Sequence, residues 1–154
     1  MPHAIEARLA ELGLELKSAP APAANYVPWV ISGNQIFVSG QISQSEGGLI
    51  TGKLGADLST EQGAQAARAC ALSLLAQAKS ALGGDWSRLS RLVKLTGFVN
   101  CTADFTDQPK VINGASDLMV AVLGEAGRHA RAAVGAPSLP MGVAVEIEAI
   151  FEIA

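Results

Sequence analysis

The chain has 154 residues, of which 49% are hydrophobic and only 16% are charged, and its formal net charge is −3. The length suits one domain, residues 1–154, with a substantial core, and the negative charge argues against a nucleic-acid-binding surface. No stretch is long and apolar enough for us to expect a membrane span, and the N-terminus lacks the pattern of a secretory signal. With two cysteines and no CxxC motif, we expect free thiols and a cytoplasmic location.

The first predicted element is a short amphipathic helix over residues 4–13. Apolar side chains recur there at helical spacing, and Gly13 is a stop signal. Residues 18–24 combine alanine with proline, which predicts an extended connector. We interpret residues 1–24 as an addition to the domain rather than as a domain of their own.

Two strands are predicted after this connector, from Asn25 to Ile31 and from Gln35 to Ser39, and a tight turn joins them. Pro28 cannot donate a hydrogen bond to a neighbouring strand, so the first strand should lie at a sheet edge or contain a bulge. Residues 43–57 are rich in glycine and serine and predict a loop.

Two helices follow, with a strand between them. Ser59 is a good N-cap, and a stripe of alanine and leucine runs from there to Ala81, so this helix should pack closely on a sheet. The strand from Leu89 to Asn100 reads as buried on both sides. Pro109 can open the second helix, which should end near Leu123.

The C-terminal segment predicts two more strands: Ala130 to Ala136, and a final run in which apolar and acidic residues alternate. Prolines and a glycine separate them, which favours an antiparallel hairpin. That hairpin would set Arg131 opposite Ile147 or Glu148. Its guanidinium would then lie beside Glu146 and Glu148.

The predicted order of elements is β-β-α-β-α-β-β, with the short N-terminal helix added. This order indicates an α+β fold in which two helices cover one face of a mixed sheet. The other face would be bare, and the low fraction of charged residues favours its closure in an oligomer, for which a three-fold ring is a common solution.

Several stretches, taken in their order along the chain, resemble the RidA/YjgF family, whose members are often labelled endoribonuclease L-PSP. The resemblance covers roughly residues 20–153 and implies a chorismate-mutase-like fold, a homotrimer with a central barrel of sheets, and sites between subunits. It also implies the hydrolysis of reactive 2-imino and 2-enamino acids to 2-keto acids and ammonia. The stretches that carry it are Gly33–Ile42, the helix after Leu58-Ser59, Lys94–Val99, Asn113, Ala130-Arg131 and Val145–Ile150.

The same resemblance implies which residues form the site. The family's carboxylate-binding arginine corresponds to Arg131, and the acidic residue that orders the attacking water corresponds to Glu146. His129 stands where the best-known members have proline, and Ala133 stands where they have cysteine; together with the N-terminal extension, these departures indicate a side branch of the family. The remaining substrate-binding positions correspond to Tyr26, Ser39, Gly40, Asn113 and Ala133.

The implied chemistry needs only these side chains, and we expect no metal and no cofactor. Arg131 can hold the carboxylate of an imino acid through two parallel hydrogen bonds, and Glu146 can accept a proton from the attacking water. The sequence shows no metal-ligand spacing. The simplest alternative is a salt bridge from Arg131 to Glu146 or Glu148 that only supports the hairpin.

Other functions remain open at this point. A non-catalytic binder or sensor of small carboxylate metabolites would use the same arginine. An endoribonuclease is less consistent with the sequence, because the chain is net negative and lacks a catalytic histidine pair. Chorismate mutase activity would rest on fold analogy alone. We expect small 2-imino or 2-keto acid ligands, a homotrimer, no nucleic-acid partner and no membrane partner.

Overall fold

The computed structural model describes residues 2–154, with side chains from residue 4 onward. Three helices and seven strands form the chain, and no helix within these residues combines the length and apolar composition of a bilayer span. The helices are α1 (Pro2–Glu11), α2 (Thr60–Ala81) and α3 (Gln108–Leu123); the strands are β1 (Trp29–Ser32), β2 (Gln35–Ile42), β3 (Gln44–Ser45), β4 (Gly48–Leu49), β5 (Leu89–Asn100), β6 (Ala130–Ala136) and β7 (Val145–Ile153).

A five-stranded mixed sheet forms the framework of the fold. Its strand order is β1-β2-β7-β5-β6; β5 and β6 run parallel, and the other neighbours are antiparallel. The α+β fold class is therefore confirmed, and β1 lies at a sheet edge, one of the two positions that Pro28 predicts. The segment predicted as a loop contains a small separate hairpin, β3 and β4.

The core lies between one face of this sheet and the helices α2 and α3. Along β7 burial alternates, so that apolar side chains such as Ile147 and Phe151 are fully buried while Glu148 is exposed. Small residues let the two helices touch: a Cβ atom on Gly114 would lie 2.0 Å from the backbone oxygen of Ala64. The alanine-rich stripe of α2 also packs on the sheet, as the sequence predicts, and Ala67, Ala71 and Ala78 are fully buried there.

The N-terminal helix packs on this core. Ile5 and Leu9 of α1 are buried, and the Glu6 carboxylate accepts a hydrogen bond from Trp86 Nε1 at 2.8 Å. The Lys79 ammonium lies 2.9 Å from the same Glu6 oxygen. Together these two contacts lower the pKa of Glu6 below its ordinary value, the lysine contributing most.

The predicted hairpin between β6 and β7 is wrong. Strand β6 pairs with β5, where Arg131 lies opposite Leu95, and β5 separates β6 from β7. The reason is the crossover through α3, which returns the chain parallel to β5 and fills that edge. Strand β7 occupies the other edge of β5, and Leu95 faces Ala149 there.

The sheet face away from the helices is largely uncovered in the single chain. Because partners in register point to the same side, one apolar row runs from Val30 through Phe37 to Ile150, and another contains Phe98 and Val134. Val30, Phe37 and Val134 are 51%, 42% and 45% exposed. The uncovered second face is as predicted, and we call it the open face.

Candidate functional site

Arg131 lies on the helix-facing side of β6, not on the open face where the predicted hairpin would have placed it. Its Nη1 donates to Ser116 Oγ and its Nη2 donates to the Pro109 carbonyl oxygen, both at 3.1 Å. None of the ion pairs formed among residues 4–154 includes Arg131. Its charge therefore meets only neutral partners, and the salt bridge to Glu146 or Glu148 is not formed.

The partners of Arg131 follow one stripe of α3. Pro109, Asn113 and Ser116 are spaced four and three residues apart, so they lie on the same side of the helix. Asn113 is exposed between the two residues that hold the guanidinium. Ala133 follows Arg131 on the same side of β6 and packs against the core. We call Arg131, Asn113 and Ala133 the arginine half-site.

The second group of predicted site residues surrounds an irregularity in β2. The pairing of β2 with β7 shifts between Val38 and Gln41, which leaves Ser39 and Gly40 in a bulge. Glu146 of β7 fills the space beside it: a Cβ atom on Gly40 would lie 2.1 Å from Glu146 Oε2. Only glycine leaves room here for the carboxylate in its observed position.

Ser39 ties this bulge to the segment that carries Tyr26. The Ser39 hydroxyl donates to the Val27 carbonyl oxygen at 2.8 Å, and its backbone N–H donates to the Pro28 carbonyl oxygen at 2.9 Å. A cavity of about 340 Å³ lies alongside, with Tyr26 and Gly40 in its wall. We call Tyr26, Ser39, Gly40 and Glu146 the glutamate half-site.

The environment of Glu146 changes its acidity. Partial burial raises the pKa of this carboxyl above its ordinary value, and the negative charge of Glu148 raises it further. A carboxylate with a raised pKa is a stronger proton acceptor, provided that it stays ionised at the working pH. Glu146 therefore has the electrostatic setting expected of a general base.

A single chain does not bring the two half-sites together. Glu146 lies two strands away from Arg131 and three residues along the sheet, a Cα separation of roughly 14 Å at ordinary strand spacings. The two side chains also leave opposite faces of the sheet. A three- or four-carbon acid cannot contact both, so a site that uses both residues needs a second copy of the chain.

Sequence reasoning missed Ser116 and the Pro109 carbonyl, the two groups that hold Arg131. The four-then-three spacing of Pro109, Asn113 and Ser116 was a usable signal, because Asn113 was already a candidate. Among the residues that the structure describes, no group of three or more His, Cys, Asp or Glu side chains is arranged to hold a metal ion.

This arrangement can be compared with known proteins. Residues 6–152 match the family described as YjgF/chorismate mutase-like, putative endoribonuclease. The chain belongs to this family. Because the match spans both half-sites, the RidA/YjgF resemblance seen in the sequence is confirmed for the chain as a whole.

Relatives with high sequence identity cover nearly the whole chain. Protein TCP17 from Trypanosoma cruzi is 52% identical over 151 residues, which are 97% of this chain and 94% of that protein. The crystal structure of Atu1372, a protein with unknown function from Agrobacterium tumefaciens, is 51% identical with a TM-score of 0.92, covering 99% of this chain and 94% of that one. A "putative endoribonuclease" from Shewanella oneidensis is 37% identical with a TM-score of 0.91, covering 96% and 98%.

Proposed function

We propose that this protein is a hydrolase that deaminates reactive 2-imino and 2-enamino acids to 2-keto acids and ammonia, and that it works as a homotrimer. The observation that carries the proposal is the Arg131 guanidinium, which is held in place by neutral groups and keeps its charge for a ligand. A carboxylate is the complementary anion, because its two oxygens match the arginine fork.

The reaction needs one proton acceptor and one water. With the substrate carboxylate on Arg131, the imine carbon is presented to a water beside Glu146, which takes a proton as the water oxygen bonds to that carbon. The electrons of the C=N bond move to nitrogen. Glu146 returns that proton to the nitrogen, which gives a carbinolamine. It then takes the hydroxyl proton and passes it to the amine nitrogen, so that the C–N bond breaks as the C=O bond forms and ammonia leaves.

The separation of the half-sites and the bare sheet face support the proposed trimer. Arg131 of one chain and Glu146 of another would meet where two copies join, and the apolar rows around Phe37 and Val134 would be covered in the same assembly. Each site would then combine the arginine half-site of one copy with the glutamate half-site of its neighbour.

More distant relatives support this choice of substrate class. A structure of RidA from Psychrobacter is 28% identical with a TM-score of 0.56, covering 88% of this chain and 94% of that one. A structure of Escherichia coli TdcF with bound serine is 26% identical with a TM-score of 0.63, covering 91% and 97%. Serine has the carboxylate and the 2-nitrogen of the proposed substrates.

The direct test is 2-aminoacrylate generated in situ, with release of pyruvate as the readout. We expect the protein to accelerate release above the no-protein control. We expect Arg131→Ala to lose at least about a hundredfold in kcat/KM, as two hydrogen bonds to a charged group are each worth roughly 1.5 kcal/mol or more. Arg128→Ala is the matched control, because Arg128 is exposed and pairs only with Glu125.

The same samples distinguish the hydrolase from a non-catalytic binder. A binder of small carboxylates would be stabilised by 2-oxobutyrate in a thermal shift, with loss of the shift in Arg131→Ala, but would leave pyruvate release at the rate of the no-protein control. That combination would contradict the hydrolase and support the binder.

A further inference from the structure

Arg131 is the first member of a chain of polar contacts that includes a histidine. Arg131 Nη1 donates to Ser116 Oγ at 3.1 Å, and the same hydroxyl lies 2.8 Å from His129 Nε2. The other ring nitrogen, Nδ1, lies 2.6 Å from the Gly127 carbonyl oxygen. His129 lies directly before β6 and two residues from Arg131, and both side chains are directed toward Ser116 of α3.

The geometry fixes the direction of two of these hydrogen bonds, because Arg131 can only donate and the Gly127 carbonyl can only accept. A carbonyl oxygen only accepts, so His129 Nδ1 carries a proton and donates to Gly127. Ser116 Oγ accepts from Arg131 and can direct its own proton to His129 Nε2. Ser116 can donate to Nε2 only when Nε2 is unprotonated. In that state Arg131 donates to Ser116, and Ser116 donates to a neutral His129.

The surroundings of His129 favour that neutral form. Burial lowers the pKa of the ring below its ordinary value, and the Arg131 charge lowers it further, while the Gly127 hydrogen bond acts in the opposite direction. A protonated ring would place a second cation next to the guanidinium and would leave the Ser116 proton without its acceptor.

We propose that Ser116 and neutral His129 are positioning residues, which orient the Arg131 guanidinium along α3 for the carboxylate of the substrate. The inference rests on the proposed function for its substrate, but not for its geometry. Arginine has five N–H donors, and the contacts to Ser116 and Pro109 use two of them. Three remain, which is enough for a carboxylate bound through two hydrogen bonds.

The kinetic test separates positioning from a general structural effect. Ser116→Ala and His129→Phe should each raise KM about tenfold while kcat changes less than about threefold, because they weaken binding of the carboxylate in substrate and transition state alike. His129→Gln can place an acceptor near the Nε2 position and should recover most of the loss. Asp117→Ala, an exposed neighbour on α3, is the control and should match wild type.

Coupling to Arg131 gives a second readout. In an Arg131→Lys background, Ser116→Ala should cause no further loss, since the group that it positions is already gone. Full additivity of the two losses, or equal damage from His129→Phe and His129→Gln, would overturn the inference.

A measurement without turnover keeps this inference separate from the proposed function. Nitrogen NMR of the labelled protein at pH 7.5 should show His129 neutral with its proton on Nδ1, and the Nε2 signal should move in both Ser116→Ala and Arg131→Lys. A protonated ring, or a proton on Nε2, would overturn the positioning role. Absence of deaminase activity with the expected NMR result would instead count against the proposed function alone.

Discussion

Glu146 is a carboxylate that folding places in an unfavourable environment. Burial and the neighbouring charge of Glu148 raise its pKa above the value in the unfolded chain, so the folded state binds that proton more tightly. Ionised Glu146 therefore lowers the free energy of unfolding at neutral pH. This destabilisation begins to diminish as the pH falls through the raised pKa and is gone below the ordinary carboxyl pKa. Such a residue is expected to be kept for function rather than for stability.

Glu146→Gln should therefore be more stable than wild type at pH 7, while it loses deaminase activity. The difference in the midpoint of thermal unfolding should begin to shrink as the pH is lowered through the raised pKa, and it should vanish below the ordinary carboxyl pKa, where the wild-type carboxyl is neutral in the folded and the unfolded chain alike. Glu152→Gln is the control, because Glu152 lies opposite Arg91 on the neighbouring strand. A gain that persists at acid pH, or no gain at pH 7, would contradict this account of Glu146.

Single residues were predictable where their role depends on sequence neighbours. Ser59 was expected to cap α2, and it does so in a capping box: its hydroxyl accepts from Gln62 N–H, and Gln62 accepts from Ser59 N–H. Ser116 gave no such signal on its own. Its role depends on Arg131, which belongs to a different element, β6, and the position of β6 relative to α3 is set by tertiary packing.

At the scale of elements, the sequence predicted what each segment forms but not every neighbour. The period-two pattern identified β6 and β7 correctly, yet the same pattern fits either pairing. The segment between them crosses the end of β5, where Asn100 Nδ2 donates to the Val143 carbonyl oxygen at 3.1 Å and Thr51 forms a bridge to Val143. The hairpin prediction failed because a short connection usually joins adjacent strands, and here it does not.

Gly114→Ala tests the contact between the two large helices. The new methyl group would overlap the Ala64 carbonyl, which belongs to the backbone and cannot rotate away. We expect a loss of about 1–3 kcal/mol or more in the free energy of unfolding, measured by urea denaturation. Asp117→Ala, at an exposed position of the same helix, should leave stability unchanged or slightly higher. Equal stability of both variants would show that α2 and α3 are not in backbone contact.

At the scale of the whole molecule, the fold class could be predicted from the sequence, but the division of the candidate residues between two half-sites could not. That division arises from strand order, which puts Arg131 and Glu146 on opposite faces of one sheet. No periodicity within a segment encodes it. The open face and the separated half-sites together make self-association the central expectation at this scale.

Phe37→Glu tests that expectation. It places a charge in the middle of an apolar row of the open face, and burying an unpaired charge at an interface is strongly unfavourable. We expect wild type to be a trimer by light scattering after gel filtration, and Phe37→Glu to be largely monomeric and inactive. Leu12→Glu is the matched control, because Leu12 is 40% exposed and Phe37 42%, but Leu12 directly follows α1 and is not part of the open face. A monomeric, active wild type would contradict the shared site.

The most direct test of a site shared between copies is complementation of two inactive variants. Arg131→Ala and Glu146→Gln chains, mixed under conditions that exchange subunits, should form sites that take an intact arginine from one chain and an intact glutamate from the other. Random mixing in a three-fold ring should restore about one quarter of the wild-type rate of pyruvate release. If the mixed assemblies show only the average of the two inactive variants, then each chain must act alone, and the account is contradicted.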